Sequence, residues 1–383
     1  MSEAAISIWK RIISGIDWIL VAAIIPIVGA GLVTMNSFVA DSNFFFSKQI
    51  IWVIISFTIF FVFSLIDFKF LRRTQVITWI FLISLILLGS LFVFGTVVKG
   101  AQSWLSFGAF NVQPAEIVKL VLIVLLAKYF SRRHVEIKNL RHIIVSGAYT
   151  FILFLLVLLQ PDFGSALIIF LIWFGMIMVS GISKKHLLLV FTIGALAFGL
   201  MWTTVLQDYQ KARIMTFLNP LQDIQGTGYN AYQSTIAVGS GQLFGKGIGY
   251  GTQSRLEFLP EYETDFMFAA FSEEWGFIGV IILFLLFGIV IWRILANANR
   301  GATNFETLFG IGLAIMIMAH FAVHVGMNIG LLPVTGITIP FMSYGGTHLL
   351  ITFAGLGILM GMRRYAHAAH RDVVRNEFIG LGG

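Results

Sequence analysis

The stretch Phe266-Met267-Phe268-Ala269-Ala270-Phe271-Ser272-Glu273-Glu274-Trp275-Gly276-Phe277-Ile278-Gly279-Val280-Ile281-Ile282-Leu283-Phe284-Leu285-Leu286-Phe287-Gly288-Ile289-Val290-Ile291-Trp292 decides the fold class. Its polar residues are confined to the beginning, and beyond Gly276 it is apolar to the end. A helix of about 20 such residues crosses the ~30 Å hydrocarbon layer of a bilayer. Backbone groups in lipid must be satisfied internally, which leaves helices or closed barrels. A barrel needs short segments of alternating hydrophobicity, and none is present. Working outward, similar runs recur near 17–39, 48–66, 76–98, 113–130, 142–159, 163–180, 186–206, 306–330 and 345–362. With 266–292 they predict an all-α integral membrane protein of about ten transmembrane helices.

The whole chain agrees with this reading. Its 383 residues are 58% hydrophobic and 11% charged, with a mean hydropathy of +0.91. A net charge of +7 would suit nucleic acid, but its placement points to a membrane instead. Lys10, Arg11, Lys69, Arg72, Arg73, Arg132, Arg133, Lys138, Arg141, Lys184, Lys185, Arg293, Arg300, Arg363, Arg364, Arg371 and Arg375 all fall on one side of the spans, and Lys128 faces that side. The opposite loops hold Lys48, Lys99, Lys211, Arg213, Lys246 and Arg255. The positive-inside rule therefore predicts a multi-pass membrane protein with both termini cytoplasmic and the long loop outside. The first run is too long for a removable signal peptide and lacks a small-residue cleavage site, so it reads as an anchor. Zero cysteines exclude disulfides and thiolate metal sites.

No internal repeat stands out, which speaks against an inverted-repeat transporter. The chain reads as one polytopic domain over 1–383, with a long loop at about 207–264 between the seventh and eighth spans. A polar cytoplasmic tail is expected at about 363–383. Four segments on the outer side are polar or broken: Lys99 to Gln113, Gln160-Pro161-Asp162-Phe163-Gly164, Gln207 to Thr264, and Leu332 through Gly346. The last has the Pro and Gly content of a re-entrant turn. Irregular backbone at membrane depth survives only beside protein or a wet cavity. Four such segments on one side predict a cavity opening outward.

Several residues could carry chemistry there. Glu116 and Lys119 share a helix face at i and i+3, and charges inside a membrane are costly enough to mark function. A structural ion pair or snorkelling to the headgroups is the alternative. Asp265 is the last of the outer carboxylates Glu257, Glu261, Glu263 and Asp265, and Phe266, Met267 and Phe268 would partly desolvate it and make it a better base. A helix N-terminal aspartate stabilised by the dipole is equally compatible. Glu273 and Glu274 need a polar cavity or partner. Asp162 doubles as a turn residue. His320 and His324 lack the zinc-protease pattern and read as packed or cavity-lining histidines. The run Gly239-Ser240-Gly241-Gln242-Leu243-Phe244-Gly245-Lys246-Gly247 fails the phosphate-loop spacing. Its glycines are better suited to folding a loop back against the membrane face. Ile248-Gly249-Tyr250-Gly251 lacks the frame of a potassium filter.

Taken together, the ordered motifs resemble the SEDS family (shape, elongation, division and sporulation) of bacterial cell-wall polymerases. They begin with Trp104-Leu105, Gln113-Pro114-Ala115-Glu116-Ile117-Val118-Lys119 and Gln160-Pro161-Asp162-Phe163-Gly164. The loop adds Asn219-Pro220, Gly226-Thr227-Gly228-Tyr229-Asn230, Gln233-Ser234, Gly245-Lys246-Gly247 and Gly251-Thr252-Gln253. Phe258-Leu259-Pro260-Glu261, Thr264-Asp265-Phe266, Gly330-Leu331-Leu332-Pro333-Val334-Thr335-Gly336 and Ser343-Tyr344-Gly345-Gly346 complete the series. Gly251-Thr252-Gln253 and the short tails are similar to the elongation branch rather than the division branch. The sequence departs from the family's usual residues at Ser103 (Arg), Ala115 (Ser), Gln242 (Gly) and Glu263 (His).

The resemblance implies a SEDS-type helical fold and a peptidoglycan glycosyltransferase that polymerises lipid II, with undecaprenyl diphosphate as leaving group. It implies catalysis by Asp265, with Glu116, Lys119, Trp104, Gln113, Asp162, Arg213, Gln233, Lys246 and Ser343 as substrate-binding candidates. An α-linked sugar diphosphate converted to a β-1,4 link is an inverting substitution that needs one base. The departing diphosphate is an anion and wants cations rather than an acid. Lys119, with Lys211, Arg213, Lys246 or Arg255, could hold it, and a divalent cation (Mg2+ or Mn2+) near Asp265 could serve instead. Expected partners are a class B penicillin-binding protein (a transpeptidase), other elongation-machinery proteins and membrane lipid, with no nucleic acid. The rival reading is a flippase moving the same precursor unchanged; a third is a scaffold for the transpeptidase.

Overall fold

A computed structural model describes residues 15–37, 44–98, 101–108, 110–131, 140–204, 206, 208–218, 228–256 and 258–379. Lys10, Arg11, Lys99, Arg132, Arg133, Lys138, Asn219-Pro220, Gly226-Thr227 and Glu257 lie outside these residues, as does the side chain of Arg213.

Each of the ten apolar runs is a helix. In chain order they are α1 (Trp18–Ser37), α2 (Phe44–Ser64), α3 (Thr74–Phe94), α4 (Pro114–Ser131), α5 (Leu140–Leu158), α6 (Phe163–Val179) and α7 (Lys184–Thr204). Two loop helices follow, α8 (Asp208–Leu218) and α9 (Tyr229–Ser240), then α10 (Met267–Ala298), α11 (Asn304–Asn328) and α12 (Gly346–Ile379). Eight are long and apolar enough by themselves to cross a membrane. The other two are α6, at 17 residues, and α4, which carries Glu116, Lys119 and Lys128. Burial ranks the helices. The apolar window of α12 is 89% buried and that of α11 67%, whereas no residue of the α7 window is buried. So α11 and α12, with α4, form the centre, and α7 lies at the perimeter, where lipid replaces protein.

Three segments carry regular structure that the sequence does not signal. The segment from Thr96 to Val112 is not irregular but an antiparallel three-stranded sheet, β1 (Thr96–Val98), β2 (Ala101–Phe107) and β3 (Phe110–Val112), in that order. β1 and β3 are too short for an alternation signal and the seven residues of β2 do not alternate strictly, so pairing between neighbours in sequence makes up the difference. The long loop is partly helical, with α8, α9 and a single turn at Thr252–Arg255. The tail continues the α12 backbone as helix to Ile379.

The eighth span is broken near its start. Gly276 takes φ 66° and ψ −170° within α10, a conformation open only to glycine at low cost. The groups freed by the break are taken up by the glycine-rich loop. Lys246 N donates to Glu273 O (2.9 Å) and Gly247 N to Glu274 O (3.1 Å), while Phe277 N donates to Gln242 O (2.8 Å) and Ile278 N to Leu243 O (3.1 Å). A Cβ on Gly245 would overlap the Glu274 carbonyl, and one on Gly276 would overlap Gly245 N. The loop thus folds back against the helix bundle, as its glycines predict. Glu273 and Glu274 face this loop. Glu273 accepts from Lys246 Nζ at 2.7 Å, and Glu274 from Gly249 N at 2.6 Å and Ser37 Oγ at 2.5 Å.

The opposite end of the bundle is closed by ion pairs. Asp17 Oδ2 accepts from Arg293 Nη2 (2.6 Å) and Asn297 Nδ2 (2.7 Å), tying α10 to the start of α1, and Arg363 of α12 lies 3.5 Å away. Arg72 donates to Glu306 at the start of α11.

Candidate active site

The four polar or broken segments line one cavity of about 360 Å³. The sheet supplies Ser103, Trp104 and Asn111, the link before α6 supplies Pro161 and Asp162, and the loop supplies Ile214, Glu261, Thr264 and Asp265. The turn after α11 contributes Pro333 to Thr338 and Tyr344 to Gly346. Helix starts and ends converge here because a chain crossing back and forth must place alternate connections on one side. Close approach needs small residues: a Cβ on Gly164 would overlap the Thr335 carbonyl.

Asp265 is half-buried and lines the cavity, two residues before α10. Its backbone is fixed from three directions. Asp265 N donates to Glu261 O at 3.0 Å, Asn328 Nδ2 of α11 donates to Asp265 O at 3.0 Å, and Ser343 Oγ donates to the adjacent Thr264 O at 2.8 Å. Asn328 is itself braced, since its Oδ1 accepts from Ala269 N at 3.2 Å and its carbonyl from Ser234 Oγ at 2.9 Å. These bonds fix the backbone that carries the Asp265 side chain at the cavity wall.

Glu116 and Lys119 form the floor. Both are buried, at 5% and 1% exposure, and both line the cavity. Lys119 Nζ donates to Glu116 Oε1 at 2.7 Å and to His320 Nε2 of α11 at 3.2 Å. His348 Nδ1 of α12 lies 2.9 Å from Glu116 Oε2. The pair therefore joins three helices and also lines the cavity. Asp162 behaves alike: Oδ1 accepts from Ser165 N at 3.0 Å as the cap of α6, and Oδ2 accepts from Gln113 Nε2 at 2.9 Å.

Trp104, Gln113, Glu116, Lys119, Asp162 and Asp265 are thus brought together. The other candidates lie elsewhere. Lys246 is paired with the buried Glu273 and Gln233 sits on α9, neither among the lining residues. Ser343 is 3% exposed and acts on Thr264 rather than facing the cavity. Arg213 is on α8, next to the lining Ile214. Sequence reasoning did not single out Asn328, Tyr344 or His348 for the site. Asn328 and His348 sit within apolar runs and gave no signal, whereas Tyr344 belongs to a motif. Burial pushes the Tyr344 hydroxyl above its ordinary value, so it stays a neutral donor at neutral pH.

Glu116, His320 and His348 bring one ligand atom each to within 4.8 Å of one another, but Lys119 Nζ is already bonded to Glu116 and His320. The ammonium takes the place an ion would need. Among the described residues no three-residue ligand group includes Asp265.

Comparison with known proteins places this architecture. The family model for FtsW, RodA and SpoVE, described as a cell cycle protein, matches residues 11–368. The chain is 37% identical over 295 residues to the peptidoglycan glycosyltransferase MrdB of Escherichia coli strain K12, covering 77% of this chain and 80% of the relative. It is 34% identical over 373 residues to the probable peptidoglycan glycosyltransferase FtsW of Bacillus subtilis, covering 93% and 92%. Among solved structures, a chain from a peptidoglycan synthase complex, reported for its structural coordination of polymerization and crosslinking, superposes with a TM-score of 0.78 at 29% identity. That match covers 92% of this chain and 98% of the other. The rod shape determining protein RodA of Thermus thermophilus gives 0.68 at 28% identity, covering 91% and 97%. With its helical bundle, its cavity and its ordered motifs in agreement, this multi-pass membrane chain belongs to the FtsW, RodA and SpoVE family, the SEDS family.

Proposed function

We propose that the chain is a peptidoglycan glycosyltransferase that polymerises lipid II, with Asp265 as the catalytic base. The observation that carries this is Asp265, half-buried, on the wall of the cavity whose floor is Glu116 and Lys119. A base must reach a hydroxyl yet be partly shielded from water, and this position meets both needs. Asp265 takes the proton from the 4-hydroxyl of the acceptor GlcNAc. The freed oxygen bonds to the anomeric carbon of the donor sugar as the carbon–oxygen bond to diphosphate breaks, with inversion. Undecaprenyl diphosphate departs as an anion and needs positive charge rather than a proton. Lys119 at the floor and Lys48, also lining the cavity, supply it, and Glu116 orients Lys119. A divalent cation would add charge stabilisation at the diphosphate, and its need is read by polymerisation with and without Mg2+ or Mn2+.

The cavity opens to the outer face of the cytoplasmic membrane, where the precursor is consumed. Gly251-Thr252-Gln253 supports a role in elongation. Restoration of rod shape in a strain lacking its elongation polymerase, without rescue of a division defect, is the expected result. A class B transpeptidase is the proposed partner, supported by the match to a chain from a peptidoglycan synthase complex.

The decisive assay reconstitutes the purified protein with lipid II. Asp265→Ala and Asp265→Asn are expected to lose activity by about 10²–10⁴-fold, the usual contribution of a general base. Wild-type-like polymer from either removes Asp265 as base. Lipid crossing the bilayer without polymer in the wild type would favour the flippase reading.

A further inference from the structure

At the end of the bundle away from Asp265 lies a second cavity, of about 380 Å³, where three elements meet. Arg72 lines it from the short turn Phe68–Arg72 between α2 and α3, and Lys128 from the last turn of α4. Thr303, Asn304 and Phe305 line it at the start of α11. None of the described lining side chains is a carboxylate.

The cations are held in place by their neighbours. Glu306, buried in the first turn of α11, pairs with Arg72 and accepts from Ala302 N at 2.6 Å. A guanidinium carries five donors in a rigid fork. One carboxylate therefore orients Arg72, which stays partly exposed, without using up its donors. Lys128 Nζ donates to the Arg72 carbonyl, which sets the two basic residues side by side. Arg72 and Lys128 against Glu306 leave one positive unit. The start of α11 adds to it. Thr303 supplies no side-chain cap, and the first N–H groups of a helix have no partner within it and form the positive end of its dipole. Asn304, exposed, brings an amide donor.

What such a cavity takes follows from its depth. It lies at the ends of spans, on the side that the positive-inside rule assigns to the cytoplasm, and so at the level of the phospholipid headgroups. Phe70, in the same turn as Arg72, and Trp79 on α3 give this stretch of chain exposed apolar surface, and tryptophan favours the membrane boundary. A phosphodiester carries one negative charge at neutral pH, which matches the one positive unit. Basic pockets between helices on the cytoplasmic side suit headgroups of this kind.

We propose that this cavity binds the phosphate of an anionic phospholipid of the cytoplasmic leaflet, with phosphatidylglycerol as the simplest case. Arg72 and Lys128 donate to the phosphate oxygens at the start of α11, and no covalent bond changes. The headgroup bridges α4 and α11. The other ends of these helices carry Glu116, Lys119 and the Asn328 that holds the Asp265 backbone, so the lipid clamps the pair of helices on which the outer cavity is built. The inference does not depend on the lipid II reading.

The test measures binding of radiolabelled phosphatidylglycerol to the full-length protein in detergent, with phosphatidylcholine of the same acyl chains and inorganic phosphate as competitors. Phosphatidylglycerol is expected to bind about fivefold more tightly than phosphatidylcholine, the worth of one net positive charge near a lipid surface. Lys128→Gln and Asn304→Asp each bring the three-group sum to zero and should abolish that preference. Asn304→Asp puts an acid at a helix N-terminus, where the dipole favours it, so the lipid-free thermal midpoint should not fall and the lost binding is separated from lost fold. Lys184→Gln removes an exposed charge on the same side, outside the cavity lining, and should keep the preference. The proposal is overturned if the preference survives in Lys128→Gln or Asn304→Asp, or if Lys184→Gln loses it as fully, which would mean general surface charge. Displacement of the lipid by inorganic phosphate at equal concentration would also overturn it, since the site would then serve a soluble anion. A readout on the unaltered protein covers variants that do not fold: phosphatidylglycerol, and not phosphatidylcholine, should protect Lys128 from acetylation by an amine-selective reagent. Equal acetylation with both lipids overturns the proposal.

Discussion

Lys119 is almost fully buried and paired with one carboxylate, that of Glu116. Buried pairs of this kind are poor sources of net stability, yet removing one partner is costly, at about 3–5 kcal/mol, because the other charge is stranded. Lys119→Met should therefore lower the thermal midpoint of the purified protein markedly. The double variant Glu116→Gln with Lys119→Met should regain much of that stability while remaining inactive. Recovery of activity in the double variant would mean that the pair is purely structural. Ser343 makes the opposite case. It touches no ligand-facing space but holds the Thr264 carbonyl, one residue from Asp265. A lost buried hydrogen bond is worth about 1–2 kcal/mol, so Ser343→Ala should slow kcat roughly tenfold with KM for lipid II little changed. An equal loss confined to KM would contradict a positioning role.

At the scale of the element, α10 is held in its broken form by the loop that docks on it. Gly245 and Gly276 both take positive φ, 79° and 66°, and their backbones touch. A side chain at either must displace the other strand of the contact and adopt strained backbone, a cost on the order of 1–3 kcal/mol. Gly245→Ala should loosen the loop, seen as faster proteolysis within 241–250 and a lower thermal midpoint. Gln242 is the converse: it already sits at φ 47°, where the family usually has glycine. Gln242→Gly should be neutral or slightly stabilising. Lys246→Met should weaken the loop through loss of its pair with Glu273 yet leave diphosphate binding unchanged. A fall in that binding would return Lys246 to the substrate site.

Taken whole, the molecule has two unlike ends. One gathers the sheet, the loop and the cavity; the other is closed by the Asp17–Arg293 and Arg72–Glu306 pairs. The lysines and arginines favour that second end, which the positive-inside rule assigns to the cytoplasm. The chain has no cysteine, so single substitutions can report the side directly. Tyr250 is 68% exposed at the cavity end, and Lys69 is exposed in the turn between α2 and α3. A membrane-impermeant maleimide should label Tyr250→Cys on intact cells and Lys69→Cys only after permeabilisation. The reverse pattern would put the cavity in the cytoplasm and remove lipid II polymerisation as its task.

The ten helices were legible from the chain because partition into lipid depends on the local run of apolar side chains and needs no knowledge of neighbours. The four cavity segments were legible for the complementary reason, since Pro, Gly and charge persist at membrane depth only where protein or water covers them. The sheet escaped notice because β1 and β3 have three residues each and the seven residues of β2 do not alternate strictly between polar and apolar. Lys246 went to Glu273, Ser343 to Thr264 and Asn328 to the Asp265 backbone because the docking of elements far apart in the chain sets those partners. His348 lies inside what reads as one more apolar span. Only the rotation of α12 against α4 and α11 turns its ring towards Glu116 and His320.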